Sequence, residues 1–303
     1  MKKIILSLFL FIPLSLYSQL VINEIMPNNV SAVMDDAYNY SMWVEVFNKS
    51  TTTSYNQSSY FFTDKLTEPK KWAPSYKIIS ANGYSVLYFE RDERAGHASF
   101  KLDPEGGKLY LQNALGQTID SVKYPPQYRN VSYGRKTDGA NEWVFFEQFS
   151  PGTTNNGKTR AIVRCANPVF TTSGGFYPST INVKFANPTG GDTIYYTKNG
   201  AEPTRTNSVR YTPGFVITTT STTLIRAKCI SAGKLPSDVV TNTYFIGERN
   251  FNLPVVSIVT EQANLYDNTI GLYCDGTNGI TGNGQSLPRN YNQDWDRPVN
   301  FEL

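Results

Sequence analysis

Almost every apolar run in this chain is short, aromatic or β-branched, and bounded by Gly, Pro, Asn or Asp, which is the pattern of strands rather than helices. Over the first half it predicts strands at 20–25, 43–48, 58–64, 77–80, 84–90, 98–102, 108–113, 118–124, 131–136 and 143–147. Ala81-Asn82-Gly83 predicts a tight hairpin, because Asn-Gly tolerates positive φ. The polar stretch 149–160, with Pro151 and Gly152, reads as a boundary linker. A second series follows at 167–174, 180–186, 193–199, 214–218, 222–230 and 238–246. No segment between strands carries a convincing 3.6-residue period, so no helix longer than two turns is expected. The pattern predicts an all-β chain of two tandem antiparallel β-sandwiches. After Gly247 the texture changes to an apolar run at 253–259, a short one at 271–275, a Gly/Asn-rich loop and a last run at 297–303. That end reads as an incomplete C-terminal α+β segment.

Composition narrows the setting. A length of 303 residues exceeds one ordinary domain, and 14% aromatic with only 17% charged residues argues against disorder. Met1-Lys2-Lys3, the apolar run 4–16 and Ser18 before Gln19 form a secretory signal, cleaved after Ser18. The absence of a cysteine after the cut argues against a lipid anchor, and no later run approaches 18 apolar residues, so no membrane span is expected after cleavage. The expected location is secreted, extracellular or at the cell surface. With Lys2 and Lys3 removed, 26 basic residues face 25 acidic ones, which gives no global field for nucleic acid or anionic lipid. The single histidine, His97, excludes multi-His metal sites. Cys165, Cys229 and Cys274 are too few for a disulfide framework and lack CxxC spacing. A Cys165–Cys229 bridge is one reading. Cys229 as a small buried hydrophobe, alternating with Ile225 and Ala227, is the favoured one.

Longer motifs carry family resemblances. VINEIMPNN, MWVEVFN, GHASFKLDPEGGKLYLQNALGQTIDSVKY and VSYGRKTDGANEWVFFEQFSPGTTN resemble, in order, the blocks of the lamin-tail domain over 19–156, which implies an immunoglobulin-like sandwich and does not itself imply catalysis. Met42 stands before Trp43 where that family commonly has an acid. After a linker at 157–166, GFYPSTINVKF, TIYYTKNGAEPT and TTLIRAKCISAGKLPSDVVTNTYFI resemble the C-terminal β-sandwich of chitobiases and β-hexosaminidases over 167–247. Asn199-Gly200 replaces the more usual Asp-Gly, which a type I′ turn accepts. FNLPVVSIVTEQANLYDNTIGLYCDG and NYNQDWDRPVNFEL, within 248–303, resemble the opening of CotH-type proteins, a family of spore-coat proteins and secreted atypical kinases.

Each candidate for chemistry has a structural rival. Glu24 shares a strand face with Leu20, Ile22 and Met26, and Glu45 shares one with Trp43 and Phe47, which invites a paired-carboxylate reading. A structural cluster closed by Arg135 is preferred, since a partly buried carboxylate needs a partner. His97 lacks a G-x-S-x-G elbow elsewhere in the chain and reads as a loop residue. DGTNGITGNG (275–284) has no Lys after its glycines, and Asp275, Asn278 and Asn283 lack EF-hand spacing, so the loop reads as a connection. Asp294-Trp295-Asp296 is given no catalytic role. No catalytic residue, metal or cofactor is therefore expected. The remaining ligand-binding candidates are loop aromatics, chiefly Trp72 and Tyr177, with Tyr76, Tyr124 and Tyr128.

The run 253–259 is of the kind normally buried on both faces, and it has few partners within fifty residues. Either these strands dock on the second sandwich or a following domain has been cut away, and truncation is the preferred explanation. The expected function is a non-catalytic binding or spacer protein ahead of a CotH-like region, with a surface polysaccharide or protein as partner. The alternatives are the N-terminal part of a secreted CotH-like kinase and a carbohydrate-binding accessory module.

Overall fold

The computed structural model describes residues 19–91, 94–161, 163–186, 188–249 and 251–303. The expected signal segment, 1–18, lies outside the described residues. The chain is nearly all β, with 34% strand and 5% helix, and its one described α-helix, Gln262–Tyr266, has five residues.

The first half builds a six-stranded sheet in the order Arg160–Ala161, Trp143–Phe146, Ser132–Arg135, Leu20–Met26, Trp43–Asn48, Tyr84–Tyr88, every pair antiparallel. Opposite it stands a three-stranded sheet of Phe61–Thr63, Gly107–Gln112 and Thr118–Tyr124. Ile22, Ile25, Val44, Val46 and Leu87 from the first meet Phe62, Leu109, Leu111 and Val122 from the second in one buried core. All seven residues of Leu20–Met26 are buried, because the strand is covered on both faces. The register slips between Ile22 and Glu24. This bulge inserts one residue and exchanges the faces beyond it. Leu20, Ile22 and then Ile25 point to the core, and Glu24 points away from it. The strict alternation that placed Glu24 with Leu20 and Ile22 fails at this bulge.

The second unit has a five-stranded sheet in the order Gly175–Tyr177, Val240–Ile246, Thr223–Cys229, Ile194–Thr197, Val209–Arg210, with a two-stranded pair, Ile181–Val183 and Ile217–Thr219. Val183, Ile194, Ile217, Ile225, Ala227 and Tyr244 form its core. Cys229 is buried in alternation with Ile225 and Ala227, as their spacing predicts. One pair, Gly175–Tyr177 with Tyr244–Ile246, is parallel.

Several predicted elements differ. The 98–102 and 167–174 runs form isolated bridges, Lys101 to Glu90 and Phe170 to Phe185, and 271–275 is turn. Ala81-Asn82-Gly83 is a tight turn with Asn82 at φ 55°, but Ile78–Ile79 pairs with Tyr55–Asn56 and Tyr84–Tyr88 pairs with Trp43–Asn48, so the turn joins two sheets rather than a hairpin. Gly200 takes φ 83° and Asn199 stays outside the left-handed region, which rules out the type I′ turn.

The stretch read as a linker is built into both units. Ser150 and Asn155 are buried against the first sheet, and Arg160–Ala161 extends its edge. Arg164 bridges Leu235, the Cys165 N–H donates to the Leu235 carbonyl at 2.9 Å, and Val131, Ala161 and Leu235 form a small apolar seam with Tyr128 and Phe145. The C-terminal segment touches both units. The Trp295 indole N–H donates to the Ala37 carbonyl at 2.7 Å, Arg297 donates to the Tyr38 carbonyl at 2.9 Å, and Glu261 lies 3.3 Å from Arg226.

The run 253–259 is not buried on both faces. Only Ser257–Val259 forms a strand, paired with Asn300–Glu302, and Ile258 and Phe301 stand opposite each other at 65% and 63% exposure. An exposed apolar two-stranded edge promotes association. Sedimentation velocity should show the chain self-associating as concentration rises, with the Ile258→Lys/Phe301→Lys double variant remaining monomeric. Identical behaviour of the two proteins would count against this.

Candidate functional site

Four arrangements bear on function. The first lies on the outer face of the six-stranded sheet, where Glu24 and Glu45 stand directly opposite each other across paired strands. Both are fully buried. Glu24 accepts from the hydroxyls of Ser132 and Ser150 and from the Ser150 N–H, while Glu45 accepts from Asn23 at 2.9 Å and the Gly152 N–H at 2.7 Å. Arg135 does not close this pair. Its guanidinium is engaged by Asp120 at 2.8 and 2.9 Å and by the Ile22 carbonyl. With that cation elsewhere, burial dominates: the Glu24 carboxyl is pushed up to about 7, and that of Glu45, which also feels Glu24, to about 9. At neutral pH the pair holds at least one proton, which removes the need for a buried counter-cation.

The second arrangement surrounds the single histidine. His97 lies in an irregular segment, as expected, but is buried there, and its ring stacks on Tyr88 at 5.0 Å. Its Nδ1 meets Glu90 and its Nε2 lies 3.0 Å from Asp36. Arg94 bridges Asp35, Asp36 and Glu90 at 3.3, 3.1 and 3.0 Å. Burial works against ionising Asp35, but the Asn39 N–H, the Ser41 hydroxyl, the Ala37 N–H and Arg94 together hold its carboxyl below the ordinary range. Burial raises Glu90, partly offset by His97. Ser41 donates to both Asp35 and Glu90, so a carboxylate separates the serine from the imidazole. A serine nucleophile needs the base adjacent to it. The donor atoms of Asp35, Glu90 and His97 lie within 4.8 Å of one another, a spacing that could hold a metal, but Arg94 supplies the positive charge there.

Beside this cluster a cleft of about 830 Å³ opens between the 29–42 loop, the end of the Tyr84–Tyr88 strand and residues 294–298 of the C-terminal segment. Asn39, Tyr40, Met42, Lys101, Asp296 and Arg297 are among its walls. Clefts at such junctions are common ligand sites. Side-chain amide, phenol and both signs of charge make it polar rather than selective for one charge.

The fourth arrangement is aromatic. Phe176 and Phe245 stack at 4.6 Å with 14° between their planes, and Phe251 lies 6.1 Å from Phe176. Phe176 and Phe251 are exposed, and the stack lines a pocket of about 380 Å³ with Asn242 and Thr243. The sequence reading missed it and chose the neighbouring Tyr177. Period-two alternation was the available signal, since adjacent strand residues face opposite ways. Tyr177 turns inward, packs on Tyr244 and donates to the Ser173 carbonyl at 2.7 Å.

Trp72, the other aromatic candidate, sits in the other unit. It packs against Phe62 and Phe89 at 5.8 and 5.5 Å and lines a pocket of about 330 Å³ with Arg94 and His97. The structure therefore does not bring Trp72 and Tyr177 together. Tyr124 is buried, Tyr128 packs on Phe145, and Tyr76 is exposed. In the 275–284 loop, Asp275 pairs with Arg289 at 3.3 Å and the Asn278 side chain donates to the Thr269 carbonyl.

Fold and sites together define an all-β protein built of sandwich units. Residues 172–241 match the chitobiase/beta-hexosaminidase C-terminal domain. Searches of curated proteins and of solved structures give no match.

Proposed function

We propose that the chain is an exported, secreted or cell-surface protein without catalytic activity of its own. In this reading 19–156 is a lamin-tail-like sandwich, 167–247 a chitobiase-type sandwich and 248–303 a CotH-like region, and the sandwiches serve as binding or spacing modules. The observation that carries it is the state of the converging ionisable groups. Glu24 and Glu45 are sealed under the Ser150–Asn155 segment, and His97 is held between Glu90 and Asp36. Glu24 and Glu45 line no described cavity, and although Glu90 and His97 border clefts, their hydrogen-bonding atoms are already engaged by one another and by Arg94, Asp36 and Ser41, as in a scaffold. ATP turnover by the purified chain would refute this reading.

A second reading, carbohydrate recognition by the later module, is favoured by the exposed Phe176–Phe245 stack. Flat apolar rings bordered by Asn242 and Thr243 suit the apolar face and hydroxyl rim of a sugar. On a glycan array the chain should bind a polysaccharide, and Phe176→Ala should weaken that binding at least about tenfold, the loss expected from one stacking contact with its rim. Absence of binding to any glycan would end this second reading.

A further inference from the structure

We infer that Cys165 and Cys229 form a disulfide under oxidising conditions, stapling the entry of the second sandwich to its central strand. They come from segments far apart in sequence. Cys165 follows the Arg164–Leu235 bridge at the seam between the units, and Cys229 ends the Thr223–Cys229 strand. Both are buried, and their sulfurs lie within 4.8 Å of each other, against a bond length of about 2.05 Å. The backbones at both positions are fixed: the Cys165 N–H donates to the Leu235 carbonyl, and the Cys229 N–H donates to the Ser237 hydroxyl at 2.8 Å. Closure therefore falls to the side chains. Cys274 stands apart, near Asp267 and Gly271.

The same pocket contains Asp192, which makes a metal the rival occupant. Its carboxylate is already met by Lys234 Nζ at 2.6 Å, so the local negative charge is balanced without an ion. A disulfide beside that closed ion pair adds no charge to the site. Burial, the Cys165 sulfur and Asp192 push the Cys229 thiol up to about 12. Thiolate is the attacking form. The bond therefore forms most readily while the sandwich is closing, and burial of both sulfurs shields it from reductant once closed.

The chemistry requires an external disulfide, supplied in the cell by a thiol–disulfide oxidoreductase and in the test by oxidised glutathione. The Cys229 thiolate attacks one of its sulfurs and expels a thiolate. The Cys165 thiolate then attacks the Cys229 sulfur, forming the S–S bond and expelling the second thiolate. Two cysteine protons are released, and two electrons pass to the oxidant, which ends as two thiols. Formation in the cell rests on the export reading, whereas the geometry does not.

The test uses the full chain carrying Cys274→Ser, reduced, unfolded and refolded in a glutathione redox buffer, with thiols then titrated in denaturant. Two thiols should fall to none, and the oxidised protein should melt about 5 °C or more above the reduced one. The chain with all three cysteines, digested without reductant, should yield a peptide joining 165 and 229. Two persistent thiols, a link to Cys274, or one bound zinc protecting both sulfurs would overturn the inference. If the bond forms in vitro while protein recovered from cells stays reduced, the pair stands and the export reading fails.

Discussion

Replacing Glu45 by Gln is expected to flatten the pH dependence of unfolding. Glu24 and Glu45 are raised from an ordinary value of about 4.5 to about 7 and about 9, so the folded chain holds protons that the unfolded chain releases. Their contribution is fully present below about pH 4.5 and is lost as pH rises through 7 and then 9. One pH unit across such a window is worth about 1.4 kcal/mol per group at most, and local relaxation reduces it, so the native chain should lose about 2–3 kcal/mol between pH 5 and 8. Glu45→Gln should lose less than half as much and should equal or exceed the native chain at pH 8. Urea midpoints at pH 5, 7 and 8.5 measure this. A native midpoint that rises across this range would contradict the buried acid pair.

The second large effect is expected at Asn155. Its amide donates to the carbonyls of Asn23 at 3.2 Å and Arg135 at 2.9 Å, and its oxygen accepts from the Ser150 hydroxyl at 2.8 Å. Asn155→Ala removes the amide's two bonds to buried carbonyls and its contact with Ser150, and uncovers the Glu24 carboxyl, at a cost of about 2–4 kcal/mol. Limited proteolysis should then cut within 149–160. The exposed neighbour Asn156 serves as the control. A loss below about 0.5 kcal/mol at Asn155 would mean that the segment is a loose tether after all.

That tether reading shows what one-dimensional pattern can and cannot convey. Short β-branched runs identified the all-β class and most central strands, because a strand's burial pattern is local. Composition could not reveal that a polar stretch such as 149–160 is polar because it answers buried carboxyls on a sheet face. The glutamate pair was half legible. Glu45 shares its face with Trp43 and Phe47 by alternation alone, but Glu24 reaches it through a bulge, and a one-residue insertion leaves no compositional trace. Arg135 was assigned to the wrong carboxylates because the choice between Asp120 and the glutamates depends on which sheet lies opposite. His97 was legible as a loop residue, but its burial was not, because its partners, Asp36 and Glu90, lie 61 and 7 residues away. Phe176 was overlooked although alternation alone separates it from Tyr177.

The three joints between the parts have a geometric consequence. The apolar seam around Ala161 and Leu235 joins the two sandwiches directly, while the grip of Trp295 and Arg297 on residues 37 and 38 and the Glu261–Arg226 pair join them a second time through the C-terminal segment. Two routes of attachment restrict swivelling of one sandwich on the other more than a single tether would. A polymer that engaged both the cleft and the Phe176–Phe245 stack would meet them at a restricted spacing.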